Sequence, residues 1–227
     1  MKYLVANWKA TKNLKEAFDW VKTFNNLINS KNILTTALKN KELKIIICPS
    51  HHLIYPVKNK IADDLNISIG AQDVSFYEKG NYTGEVSAQN LIGLVDYCIV
   101  GHSERRKYLK ETDNIIDQKI NLLKDYDIEP ILCIRDEKDI IFDNTNIITY
   151  EPVNAIASGN NESLDDVLRM KKKLHIDFDR LYFYGGSVNP ETIKEYTKSK
   201  EINGYLVGTA CKDPRDFINT ALSYVEK

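Results

Sequence analysis

Short runs of β-branched and aliphatic residues recur along the chain, separated by longer stretches in which apolar and polar positions alternate with helical spacing. The runs predict strands at residues 3–7, 44–48, 67–71, 97–100, 129–134, 146–150, 181–184 and 204–207. Several are apolar at nearly every position, as in Lys44-Ile45-Ile46-Ile47-Cys48. A strand with one wet face would alternate; a continuous apolar run fits a strand covered on both faces, the habit of parallel sheets under helices.

The intervening stretches predict helices. Leu14, Phe18, Val21, Phe24 and Ile28 fall on one face over residues 13–28, with Asn13 placed to cap the start. Ile115, Ile116, Ile120, Leu122 and Leu123 do the same over residues 113–126. Ser163-Leu164-Asp165-Asp166 reads as a cap followed by first-turn acids. Asp213-Pro214 opens the last helix with proline where its missing N–H costs little, and Asn189-Pro190 repeats the device. Eight strands alternating with helices predict a closed (β/α)8 barrel or an open doubly wound sheet. No GxGxxG follows the first strand, which disfavours the dinucleotide-binding open sheet. One interval breaks the alternation. Residues 135–145 hold at most about two helical turns. The helical layer between the fifth and sixth strands is therefore expected to be reduced or absent, with Ile140, Ile141 and Phe142 covering the barrel instead.

Composition narrows the class. The 227 residues suit one barrel domain spanning 1–227, and neither a low-complexity segment nor a Pro/Gly-rich linker divides them. A net charge of −1 gives no global attraction to nucleic acid or an anionic membrane. Apolar runs are too short for a membrane span, and the N-terminus does not read as a signal peptide, so a cytoplasmic protein is expected. Cys48, Cys98, Cys133 and Cys211 lie apart, mostly in apolar runs, and are expected as buried thiols. His51-His52 lacks partners at ligand spacing, so no metal site is expected. Lys171-Lys172-Lys173 reads as a solvated helix face.

In a parallel barrel the chemistry sits where strands end at their C-termini. Asn7 and Lys9 follow the first strand, His102-Ser103-Glu104 the fourth, Glu151-Pro152 the sixth, Gly185-Gly186-Ser187 the seventh and Gly208-Thr209 the eighth. Glycine-rich turns after strands seven and eight allow backbone N–H groups to approach an anion. Glu151 suits a general base, and His102, Asn7 and Lys9 suit stabilisation of a developing oxyanion.

In order along the chain, Ala6-Asn7-Trp8-Lys9, Gly70-Ala71-Gln72-Asp73, Tyr82-Thr83-Gly84-Glu85, Val100-Gly101-His102-Ser103-Glu104-Arg105-Arg106, Tyr150-Glu151-Pro152-Val153, Tyr184-Gly185-Gly186-Ser187 and Leu206-Val207-Gly208 resemble the motifs of the triosephosphate isomerases. The resemblance implies interconversion of dihydroxyacetone phosphate and glyceraldehyde 3-phosphate through an enediolate, without a cofactor. It implies Glu151 as the base, Lys9 and Asn7 as electrostatic and oxyanion partners, and His102 as a neutral electrophile, a property this family is known for. It further implies Glu104 behind Lys9, phosphate binding at Ala157, Ser187, Gly208 and Thr209, and Ile156 with Leu206 closing over the base. Arg105 and Arg106 become structural ion-pair partners. Loop 76–85 would insert into a second copy, giving a homodimer with Thr83 at its interface. The chain departs from the family at Asn154, where tryptophan is usual, at Ala157-Ser158-Gly159-Asn160, at Thr209, where glycine is usual, and at Cys133-Ile134-Arg135-Asp136. Weighed against the isomerase are another phosphate-binding barrel isomerase and a non-catalytic barrel.

Overall fold

The computed structural model describes residues 1–62, 64–153 and 161–226. Eight strands form one closed parallel barrel in sequence order, with β1 (Lys2–Asn7) pairing both β2 (Leu43–Cys48) and β8 (Gly204–Val207). Between them lie β3 (Ile67–Ala71), β4 (Tyr97–Val100), β5 (Glu129–Ile134), β6 (Ile147–Tyr150) and β7 (Leu181–Tyr184). The closed alternative is the observed one, and every predicted strand is present within one residue at each end.

Apolar continuity has the expected cause. Tyr3, Val5, Ile46, Cys48, Ile99, Ile131, Cys133, Ile147, Phe183 and Leu206 fill the barrel interior. Their strand neighbours, such as Leu4, Ala6, Ile45, Ile47, Ile148 and Tyr150, join the second core under the helices. Both faces of each strand are therefore dry. All four cysteines are buried and free.

The outer layer comprises α1 (Leu14–Asn29), α2 (Asn32–Lys39), α3 (Ile54–Lys58), α4 (Ala88–Leu91), α5 (Ser103–Tyr108), α6 (Asp113–Lys124), α7 (Leu164–Lys173), α8 (Ile193–Tyr196) and α9 (Pro214–Val225). Asn13 caps α1 and forms a reciprocal capping box with Glu16. Ser163 and Asp213 cap α7 and α9 as expected. Asn189 behaves differently. Its Oδ1 accepts from Glu191 and Thr192 N–H groups in a turn, and α8 begins only at Ile193. The buried stripe of α1 is Ala17, Trp20, Val21, Phe24 and Ile28; Leu14 is exposed and Phe18 lies at the edge under Lys60. Lys171 also departs from a purely solvated reading, since its ammonium donates to Glu201 O.

No helix joins β5 to β6. Ile141 and Phe142 pack on the core, whereas Ile140 is 49% exposed and does not serve as cover. The buried Asp139 organises the rest. It accepts from Arg135 N–H at 2.8 Å and from the Arg135 guanidinium at 2.6 and 2.9 Å, and faces Arg106 Nη1 at 3.7 Å. Arg106 in turn donates to Gly101 O and to Asp113. A charge cluster therefore stands where a helix would pack. Among the described residues, no helix is long and apolar enough to cross a membrane.

Candidate functional site

Asn7, Lys9, His102, Glu151, Ser187, Leu206, Gly208 and Thr209 line one pocket at the C-terminal mouth of the barrel, together with Gly185 and Gly186. They reach the pocket from the ends of five strands, β1, β4, β6, β7 and β8, or from the turns after them. Ile156 and Ala157, with the departure at Asn154, fall outside the described residues. Thr83 is exposed on the loop before α4, away from this pocket.

Lys9 has a left-handed backbone at φ 50°, a conformation that costs a residue with a Cβ of order 1 kcal/mol or more. The surroundings hold it there. Its N–H donates to Asn7 Oδ1 at 3.0 Å, and its C=O accepts from Ser50 Oγ and Gln72 Nε2, each at 3.0 Å. Gln72 also donates to Cys48 O, tying the turn to the end of β2. The Lys9 ammonium meets Glu104 Oε1 at 2.5 Å. Because Asn7 Oδ1 is an acceptor here, its amide hydrogens remain as donors.

His102 caps α5, and its Nδ1 accepts the Glu104 N–H at 3.2 Å. That fixes the tautomer, since only an unprotonated Nδ1 accepts a hydrogen bond. The proton sits on Nε2, 3.0 Å from Glu151 Oε1. Glu151 Oε2 accepts the Ser103 N–H at 3.2 Å. Both side chains are buried, with His102 5% and Glu151 2% exposed.

Burial alone would raise the Glu151 pKa, but His102 and the Ser103 N–H outweigh it and hold the carboxyl below the usual glutamate range. For His102, burial pulls downward while the Glu151 carboxylate pulls upward and prevails in this resting arrangement. Of the lesser influences, Lys9 lowers the His102 pKa and Glu104 raises it.

The glycines after β7 have reasons that the sequence did not disclose. A Cβ on Gly185 would lie 2.8 Å from Glu151 Cγ, and one on Gly186 would lie 2.1 Å from the Tyr184 hydroxyl oxygen. Gly185 thus makes room for Glu151 itself. Thr209, in place of the usual glycine, starts a single 3-10 turn, Thr209–Cys211, and is not among the residues with positive φ. A side chain at this position therefore introduces no left-handed strain. Arg105 and Arg106 do form ion pairs, Arg105 with Asp73 and Glu111, and Arg106 with Asp113. Ser103 N–H and Gln72 build the site from within motifs that gave them no role of their own, and Ser50 does so from outside every motif. His51 Nε2 lies 2.8 Å from Asp73 O. No group of three or more His, Cys, Asp or Glu suited to a metal occurs among the described residues.

Comparison with known proteins agrees with this geometry. The family model described as triosephosphate isomerase matches residues 2–223. The triosephosphate isomerase of Dictyoglomus turgidum is 33% identical over 250 aligned positions, covering 95% of this chain and 96% of that protein. That of Aquifex aeolicus is 32% identical, covering 97% and 98%, and that of Clostridium tetani 32%, covering 94% and 93%. With eight parallel strands closed on a pocket that joins Lys9, His102 and Glu151, and a family match along almost its whole length, this chain belongs to the triosephosphate isomerase family.

Proposed function

We propose that this chain is a triosephosphate isomerase, interconverting dihydroxyacetone phosphate and D-glyceraldehyde 3-phosphate, with Glu151 as the proton shuttle. The observation that carries the assignment of roles is the pairing of Glu151 with His102 Nε2–H at 3.0 Å, beside Lys9. Glu151 detaches from His102 and Ser103 when substrate enters and takes the proton from the carbon next to the carbonyl. The His102 Nε2–H it releases then donates to the carbonyl oxygen as negative charge develops there. Lys9 and the Asn7 amide add positive potential to the same oxygen. Protonated Glu151 returns the proton to the neighbouring carbon, while His102 Nε2 gives its proton to the former carbonyl oxygen and takes one from the adjacent hydroxyl, so the new carbonyl forms and no cofactor is required. Ser187, Gly208 and Thr209 supply the phosphate contacts, with Ala157 as a fourth contributor by resemblance. The unstrained Thr209 backbone supports that reading.

A coupled assay of glyceraldehyde 3-phosphate isomerisation tests the proposal, with Glu151→Gln as control. The expected result is turnover in the wild type and a loss of at least about 10³-fold in the variant. Equal residual rates in both would leave a non-catalytic barrel.

The second copy is also proposed, with loop 76–85 as its contact and Thr83 at the interface. Two observations support it. Tyr77 and Tyr82 are exposed and stacked at 4.0 Å within the loop. A groove of about 340 Å³ opens beside Lys9 and His102, edged by Tyr108 and Leu109, which are 68% and 62% exposed. Light scattering is expected to give twice the chain mass; an active monomer would refute the dimer. The four buried, unpaired cysteines fit a reducing, cytoplasmic setting.

A further inference from the structure

We propose that Glu162 is a positioning residue for Glu151, acting through Tyr150; the inference rests on the isomerase reading above. The connection from β6 to α7 begins at Glu151 and ends just before the Ser163 cap. Its two ends are joined. The Tyr150 hydroxyl donates to Glu162 Oε1 at 3.0 Å. The Glu162 N–H donates to the Tyr184 hydroxyl at 3.3 Å, and the Tyr196 hydroxyl donates to Glu162 O at 2.7 Å. Side chain, N–H and C=O of one residue are thus held by three tyrosines from β6, β7 and α8.

The tyrosines are a rigid support. All three are buried, with Tyr184 4.6 Å from Tyr196 and 6.3 Å from Tyr150 between ring centroids. Rings locked by packing lose little further freedom when their hydroxyls bond, so the geometry is transmitted rather than absorbed. A hydroxyl donating to a carboxylate also makes a stronger bond than one between neutral groups.

Tyr150 carries this constraint to Glu151 through one peptide bond. Its ring points into the outer core, and its C=O accepts the Gly185 N–H at 2.8 Å. The Glu151 N–H donates to Ile134 O at 2.8 Å. The end of β6 is therefore held by both neighbouring strands and, through the Tyr150 hydroxyl, by Glu162. Glu151 needs that accuracy, because its Cγ passes over Gly185 with no room for a methyl group. A rotation at Tyr150 would move the carboxylate against this floor or away from His102.

What Glu162 supplies is an acceptor at a fixed point, and a glutamine offers one of the same reach. Four variants separate positioning from general stability: Tyr150→Phe, Glu162→Ala, their double variant and Glu162→Gln. Two readouts are taken well below the melting temperature. The first is kcat and KM for glyceraldehyde 3-phosphate. Tyr150→Phe and Glu162→Ala are each expected to lower kcat about tenfold with KM within about twofold, as expected for a misplaced catalytic group. The double variant should fall no further than either single one, and Glu162→Gln should stay within about threefold of wild type. The second readout is hydrogen exchange of the Ser103 amide, which donates to Glu151 Oε2 and so reports where that carboxylate sits. Its protection should fall in the first three variants and persist in Glu162→Gln. Unchanged kcat, or single effects that multiply, would overturn the proposal, as would unchanged Ser103 protection. If the wild type itself lacks isomerase activity, the functional reading fails, and Ser103 exchange still decides whether Glu162 positions Glu151.

Discussion

His102 Nε2 and Glu151 Oε1 stand 3.0 Å apart, so the proposed base occupies the same donor that a substrate carbonyl would need. The resting site is self-satisfied, and each partner sets the other's titration. The Glu151 pKa is lowered on folding, so its stabilising contribution is present above the unfolded glutamate value near ~4.3 and lost as pH falls through the still lower folded value. The His102 pKa is raised, so its contribution is present below about 6.5 and lost as pH rises through the folded value. Denaturation of wild type and Glu151→Gln across pH 3 to 9 checks this. The stability difference between them should be widest from about pH 5 to 6.5 and shrink on both sides.

Gly185→Ala should separate catalysis from folding. The new methyl meets Glu151 Cγ at 2.8 Å and Thr149 Cγ2 at 3.2 Å, so the glutamate must shift. Overpacking of this kind costs about 1–3 kcal/mol. Because the atom displaced belongs to the proposed base, kcat should fall at least about tenfold. Steady-state kinetics beside urea unfolding check both parts; full kcat would show that Glu151 has slack the geometry denies it.

Gln72→Ala removes the donor shared by Lys9 O and Cys48 O. The left-handed turn at Lys9 then keeps only Ser50 on its carbonyl. A loss of about 1–2 kcal/mol is expected from the two hydrogen bonds. The Lys9 ammonium should become less well placed, lowering kcat in the same variant. Equilibrium unfolding and turnover measure the two effects.

Asp139→Ala tests the connection that lacks a helix. It leaves the Arg135 side chain without its carboxylate, while Arg106 keeps Asp113 at 2.6 Å. A loss of about 2–4 kcal/mol is expected, somewhat less than for a buried charge stripped of every partner. Folding holds the Asp139 carboxyl below the usual aspartate range; burial opposes this, and the Arg135 hydrogen bonds and Arg106 overcome it. The contribution is therefore present above the unfolded aspartate value and lost as pH falls through the folded one. Asp139→Asn should be milder than Asp139→Ala at pH 7 and converge with wild type in acid.

The barrel was legible because each strand is dry on both faces, which leaves runs such as Ile45-Ile46-Ile47 with few other readings. The polar residues at the pocket were legible because only strand ends expose them. Contacts that depend on distance in space were not. Gln72 reaches back to Lys9 across 63 positions, and Gly185 owes its identity to a side chain on another strand. Asn189 misled because a side chain that bonds N–H groups two and three residues ahead serves a turn as well as a helix. Ile140 misled for a related reason: the irregular stretch 135–146 has no period from which an inward face can be read.

That irregular stretch also bears on how quickly the barrel assembles. Parallel strands normally need a crossover of a dozen or more residues. The β5–β6 connection spans residues 135–146, near that minimum, whereas β1 and β2 are separated by residues 8–42. By loop-closure entropy alone, bringing β5 to β6 costs about 1 kcal/mol less than bringing β1 to β2. Native contacts between β5 and β6 are thus among the most local that the sheet makes between strands, and local contacts form early. The shortened sector gives the strand leading into Glu151 a lower loop-closure cost against its neighbour than β1 meets against β2.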